Sequence, residues 1–278
     1  MQGPWAKLSQ RERDAAYNNS DAVTNSAALI EQRNAASSAF RAAHAKAHPG
    51  LLDVAYGKGE RTKLDLYPAK TATAPCLVFI HGGYWQRNAR EDFAVYAQGV
   101  AAHGWATAIP GYTLAPDASL AQIVGEIDAA LSWLVDHGLE KSIAGGPIIV
   151  SGWSAGGHLT AMALAHRGVT AGLALSGVYE LAPIRDTYLN EKLRLSDAEI
   201  ASLSPLRLPV VDKPLAIAYG TNELPALVAD SRDLHARRSA AHAAGALIPV
   251  PRTDHFTMLD ELRKPDGVLV KAALSLVA

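Results

Sequence analysis

With one cysteine, Cys76, in 278 residues, the chain has no means of forming an internal disulfide, and burial and hydrogen bonding must hold the fold together. Cys76 opens the apolar run Cys76–Ile80, so it reads as a buried structural thiol rather than a reactive one. Such a chain suits a reducing compartment. No stretch reaches the roughly 18 unbroken apolar residues of a membrane span, and residues 1–20 are polar and charged with no apolar h-region. The expected location is therefore the cytoplasm. Charge of one sign is also scarce: 26 Lys and Arg against 27 Asp and Glu give a formal net charge of -1, too little to gather nucleic acid or an anionic membrane surface. Neither partner is expected, and a homodimer stays open. Metal-binding spacing is absent too, with no His-Glu-x-x-His and no paired cysteines.

What the chain does have is apolar material. A hydrophobic content of 49% suits one large core, and the reading is a single domain over residues 1–278. Residues 24–47 place Leu29, Ile30, Ala36, Phe40, Ala43 and Ala47 at near-helical spacing until His48-Pro49-Gly50 stops the pattern, which predicts a helix within an N-terminal segment of residues 1–50. Leu52–Tyr56 and Lys63–Tyr67, joined through Gly57-Lys58-Gly59, predict an antiparallel hairpin. From Pro75 onward short apolar runs alternate with helical patterns. The strand candidates are Cys76–Ile80, Ala106–Ile109, Ile148–Val150, Gly172–Leu175, Leu215–Tyr219 and Leu247–Val250. Helices are expected over Asp92–Ala102, Leu120–Val135, Ala155–Ala165, Leu227–Ala244 and Gly267–Val277. This alternation predicts an α/β fold with a mostly parallel sheet and helices on both faces. Residues 181–208 break the rhythm, and Ser196-Asp197-Ala198-Glu199 reads there as a helix N-cap with an acidic first turn. A small cap insertion is expected at that point.

The sharpest motif is Gly152-Trp153-Ser154-Ala155-Gly156, set between a predicted strand and a predicted helix. In that context G-x-S-x-G marks a nucleophile, because a tight strained turn lifts the serine clear of the sheet and the glycines leave room for it. The following helix directs its free N–H groups at the site. A second element, Phe79-Ile80-His81-Gly82-Gly83-Tyr84-Trp85, follows the strand that begins at Cys76. Its Gly-Gly pair lets backbone amides face a ligand, so Gly82, Gly83 and Ala155 are the candidate oxyanion donors. Taken without Ser154, the Gly-Gly pair would be an ordinary strand-end turn. His81 is expected to brace this loop by hydrogen bonding rather than to carry protons.

Chain order then selects the base. In this arrangement an acid and finally a histidine follow the serine, and of ten histidines only His255 lies in a loop after the last strand. Four carboxylates occupy usable positions for the acid: Glu223, Asp230, Asp233 and Asp254. Glu223 lies just past the strand Leu215–Tyr219, at the sheet's carboxyl edge, and is preferred, with Asp230 second. Tyr84, Trp85, Trp153, Tyr179 and Tyr188 are the candidate pocket walls, each with core packing as its alternative role.

Beyond single motifs, Phe79-Ile80-His81-Gly82-Gly83-Tyr84-Trp85-Gln86 closely resembles the motif of the kynurenine formamidase (arylformamidase) branch of the α/β-hydrolases. Tyr112-Thr113-Leu114-Ala115-Pro116, the segment Ser176–Ile184 and Asp254-His255-Phe256 resemble further segments of that family, so the likeness runs from Leu77 to Leu262. The resemblance implies hydrolysis of N-formyl-aryl amides or small esters by an acyl-enzyme route without metal or organic cofactor, and it supports Ser154, Glu223 and His255. Two positions depart from the pattern: Trp153 stands where the animal enzymes carry a smaller polar ring, and Glu223 stands in place of Asp. The expected function is therefore a carboxylesterase-like serine hydrolase for small-molecule esters, with arylformamidase as the alternative. A non-catalytic ligand receptor of the same fold would lose part of the Ser-Glu-His set, and an acyltransferase would keep it.

Overall fold

The computed structural model describes residues 4–277; residues 1–3 of the segment 1–50, and residue 278, lie outside the described residues. Eight strands form one sheet in the order β1-β2-β4-β3-β5-β6-β7-β8. They are β1 (Val54–Ala55), β2 (Lys63–Tyr67), β3 (Cys76–Ile80), β4 (Ala106–Pro110), β5 (Ile148–Trp153), β6 (Val169–Leu175), β7 (Leu215–Gly220) and β8 (Leu247–Val250). The expected hairpin is the antiparallel edge: β1 pairs with β2 through Val54 opposite Leu64, and β2 runs antiparallel to β4. From β4 to β8 all neighbours are parallel.

Side-chain alternation divides the apolar residues into two cores, one on each face of the sheet. On β3, Cys76, Val78 and Ile80 join one core, whereas Leu77 and Phe79 join the other. Every residue of β3, β4, β5 and β7 is buried, as strands covered on both faces require. Burial pushes the Cys76 thiol up to about 12, consistent with a structural role. The helix Leu120–His137 covers one face with a stripe at Leu120, Ile123, Ile127, Ala130, Leu131 and Leu134. Ser119 and Gln122 close its first turn as a reciprocal capping box.

The N-terminal helix spans Ser26–Ala47, and its inward face matches the expected apolar stripe only in part: Ala36 and Phe40 pack against the core. Its buried residues are Ser26, Arg33 and Ser37, while Ala43 and Ala47 are exposed. Polar pairing accounts for the difference. Ser37 Oγ donates to the Asp92 carbonyl at 2.8 Å, His44 Nε2 lies 2.8 Å from the Leu66 carbonyl, and Arg41 Nε reaches Asp65 at 2.8 Å. Asp65 is fully buried on β2 and also accepts from Arg90 Nε at 3.1 Å. One carboxylate thus joins the N-terminal helix, the sheet and the segment after the His81 loop. That segment is a run of 3-10 turns over Arg90–Ala97 followed by one α-turn, Gln98–Ala101, where a single α-helix was expected. Phe93 to Ala97 are buried without a break, so no helical period is left to read. Residues 181–208 form short helices, Ala182–Arg185, Asn190–Leu193 and Asp197–Leu203, the last capped by Ser196 and Glu199. Tyr188 N–H donates to Asp14 Oδ1 at 2.8 Å and Trp5 Nε1 to Asp186 Oδ2 at 3.1 Å, joining this region to the N-terminal segment.

Candidate active site

Four loops at the carboxyl ends of parallel strands converge, as open α/β sheets favour for ligand sites. Ser154 follows β5 at φ 59°, ψ -119°, a left-handed conformation that a non-glycine residue adopts only when its surroundings enforce it. The enforcement is backbone packing. A Cβ at Gly156 would overlap the Ile80 carbonyl, and one at Gly152 would overlap the Gly156 carbonyl. The flanking glycines therefore let the strand, the turn and the helix Ala155–Ala163 pack with their main chains in contact.

The loop after β3 lies against this turn. A Cβ on Gly82 would stand 2.9 Å from the Ser154 Cβ, and Gly83 has φ +120°, a conformation open to glycine at little cost. Among the described residues, the amides of Gly82, Gly83 and Ala155 have no backbone acceptor. Free N–H groups at a helix start and on a glycine loop beside the serine can receive an oxyanion. His81 is fully buried, stacks on Tyr112 with centroids 4.2 Å apart, and places Nδ1 2.9 Å from the Gly82 carbonyl. Burial pulls its pKa down to about 3. A neutral ring fixed in this way braces the loop.

His255, after β8, is 3% exposed and its Nδ1 lies 3.1 Å from Glu223 Oε2. The other oxygen, Oε1, accepts the Gly220 N–H at 2.8 Å and the Ser176 hydroxyl. Its carboxylate is thereby held at both oxygens. Trp153 Nε1 donates to the His255 carbonyl at 2.7 Å, and its indole lies 4.7 Å from the imidazole centroid. The residue beside the serine thus positions the histidine. The other acids are occupied or distant. Asp230 is buried and accepts the N–H groups of Tyr179 at 2.6 Å and Glu180 at 3.3 Å; burial raises its pKa to about 7. Asp254 Oδ1 accepts from Phe256 and Thr257 N–H, shaping the histidine loop, and Asp233 is exposed.

A cavity of about 80 Å³ opens on Ser154 and His255, with Gly83, Tyr84, Trp153, Tyr188 and Phe256 in its walls. Of the aromatic residues expected there, Tyr84, Trp153 and Tyr188 line it. Trp85 and Tyr179 are core residues, each fully buried. Trp85 packs edge-on against His158, and Tyr179 packs against Gly177. Tyr84 and Trp85 are both left-handed, at φ 51° and 58°, and this bend leaves Tyr84 on the cavity while Trp85 enters the core. Sequence reasoning missed the remaining walls: Asn18, Asn19, Ser20, Ile30, Arg33, Arg87 and Asn88. Asn19 Nδ2 donates to the Tyr84 hydroxyl at 2.9 Å, and that hydroxyl donates to the Tyr17 carbonyl at 2.6 Å. No signal in the N-terminal segment marked it as part of the site, apart from its length.

A strained serine turn, unbonded amides beside it and an imidazole held by a buried carboxylate at the edge of a parallel sheet define a serine hydrolase of the α/β-hydrolase class. The chain belongs to the kynurenine formamidase family within that class: it is 30% identical over 244 residues to the kynurenine formamidase of Salmo salar, covering 82% of each chain. The BD-FAE family model matches residues 64–176, which include the His81 loop and the serine turn. Among solved structures, a candidate thioesterase from Silicibacter sp. TM1040 superposes with a TM-score of 0.82 at 27% identity, covering 96% of this chain and 99% of that one. Inhibited esterase B from Lactobacillus rhamnosis shares the fold, with a TM-score of 0.68 at 23% identity and coverage of 89% and 94%. Among the described residues, no helix is long and apolar enough to cross a membrane.

Proposed function

We propose that the protein hydrolyses small carboxylic esters through an acyl-enzyme on Ser154. The observation that carries this reading is the His255–Glu223 contact of 3.1 Å behind a cavity onto which both Ser154 and His255 open. Glu223 holds the imidazole with Nδ1 protonated, which leaves Nε2 as the proton acceptor. Ser154 Oγ attacks the carbonyl carbon as His255 takes its proton, and the oxyanion is received by amides at Gly83 and Ala155, with Gly82 alongside. His255 returns the proton to the departing alcohol, and a water activated by the same imidazole releases the acid. Replacing Ser154 with Ala is expected to lower kcat on a short aryl acetate by a factor on the order of 10^5 to 10^6; unchanged turnover by the purified variant would refute the assignment.

A second reading, hydrolysis of N-formyl-aryl amides, is favoured by the match to kynurenine formamidase along 82% of both chains. The same groups serve it, with His255 protonating a departing arylamine. Side-by-side kcat/KM values for N-formylkynurenine, short aryl acetates and larger acyl esters separate the two. Formamide turnover at least tenfold above the best ester would favour the second. The cytoplasm is the proposed compartment, on the strength of the single buried thiol, and a single domain spanning the chain is the proposed organisation.

A further inference from the structure

Arg33 brings a positive charge into the wall of this cavity, and no acid holds it there. It projects from the helix Ser26–Ala47, is 7% exposed, and lies over Phe93 with Cζ 4.2 Å from the ring centroid. Its hydrogen bonds run from Nε at 3.1 Å and Nη2 at 2.9 Å to one neutral acceptor, Asn34 Oδ1. Asp92, the acid that acts on it through space, accepts the Ala89 N–H at 2.9 Å and forms no ion pair with it. Nη1 has no acceptor among the described residues, yet it is not among the sealed polar atoms, so it reaches open space; Arg33 borders both this cavity and a neighbouring one, where Asp260 and Arg263 stand without an ion pair to it. Burying a guanidinium without a carboxylate is costly, and buried charges are normally paired. The cavity walls contain a second arginine, the exposed Arg87, and three asparagines, but no Asp or Glu.

We propose that Arg33 is a specificity-determining residue that receives a carboxylate carried by the substrate, so that the ion pair missing from the free protein forms on binding. This rests on the hydrolytic reading of Ser154 above. Aryl esters or formamides bearing an acid group would then be preferred over neutral analogues, with the guanidinium fork matching a planar anion better than an ammonium can.

The test is the ratio of kcat/KM for a charged substrate to that of its neutral partner, in wild type, Arg33→Gln and Arg33→Lys. One pair, p-acetoxybenzoate and its methyl ester, carries the charge on the leaving group. The other, the p-nitrophenyl monoester of succinate and its methyl diester, carries it on the acyl arm. In at least one pair the wild type should favour the anion, and Arg33→Gln should lower the ratio by about ten- to a hundredfold, mainly through KM. Arg33→Lys should fall between them. Because each ratio is taken within one variant, a general loss from disturbed packing on Phe93 cancels. A ratio unchanged in both pairs overturns the proposal. Should Arg33→Gln not fold, titration of wild type with benzoate and benzamide, followed by tryptophan fluorescence, decides: tighter benzoate supports the ion pair, and equal or weaker benzoate refutes it. Benzoate preference without Ser154-dependent turnover would leave the Arg33 site standing and remove the hydrolytic reading alone.

Discussion

Glu223 makes its contacts with both oxygens, and only one of them involves His255. Oε2 faces the imidazole, whereas Oε1 accepts from the Gly220 amide and the Ser176 hydroxyl. Glu223→Gln keeps the shape but can present an amide N–H to Nδ1, favouring the wrong tautomer. A fall in kcat of about 10^3- to 10^4-fold with little change in KM is expected, measured on a short aryl acetate. Ser176→Ala removes one charge-assisted bond from the same carboxylate and should cost roughly tenfold or more in kcat; an unaltered kcat would show that Gly220 suffices. Glu223 was readable in the sequence because it follows an apolar strand run in the order Ser, acid, His. Ser176 was not, since its role depends on a left-handed backbone at φ 46° and on pairing across β6 and β7. Arg33 was hidden for a different reason: a charged residue inside a helix ordinarily reads as a solvated one.

Among the elements, the strands were the most legible, because burial on both faces writes the central ones as short continuous apolar runs, and β3 has the bounds its run indicates; the edge strand β8, only partly buried, has them too. The N-terminal helix was found and its buried face only in part. Of the expected stripe, Ala36 and Phe40 pack against the core but Ala43 and Ala47 are exposed, and polar contacts from Ser37, Arg41 and His44 complete the attachment. The segment Arg90–Ala97 was misread as α-helix because continuous burial erases the period. Asp65 shows what joins such elements without an apolar stripe: fully buried, it is gripped by Arg41 and Arg90. Replacing it with Asn leaves two guanidinium groups short of an anion, and a loss of about 3–5 kcal/mol in urea unfolding is expected. A loss below about 1 kcal/mol would mean that Asp53, half-exposed and also paired with both arginines, carries the attachment.

Over the molecule as a whole, the two buried cores enclose titratable groups whose protonation differs between folded and unfolded chains. His158 is fully buried, gives one ring nitrogen to the Leu203 carbonyl at 2.7 Å, and has its pKa lowered by burial to about 4. His81, likewise buried, sits at about 3. In the unfolded chain both titrate near 6.5, so between about pH 6.5 and pH 4 the unfolded state binds protons that the folded state refuses, and stability falls as the pH falls. Asp230 acts in the opposite sense. Its folded pKa of about 7 lies above the ordinary 3.8, so the contribution it makes at low pH is lost as the pH rises through 7. His158→Gln retains an N–H for the Leu203 carbonyl but removes the titration. Across the acid range its unfolding free energy should fall less steeply than that of wild type, by about 1.4 kcal/mol per pH unit. Parallel acid profiles for the two proteins in urea titrations would mean that the imidazole between the sheet and the 181–208 region is protonated in the folded state. Because the carboxyl acts between about pH 3.8 and 7, over the same range as the imidazoles and against them, Asp230→Asn should do the reverse and steepen the fall toward acid, and the two variants together apportion the acid slope between imidazole and carboxyl.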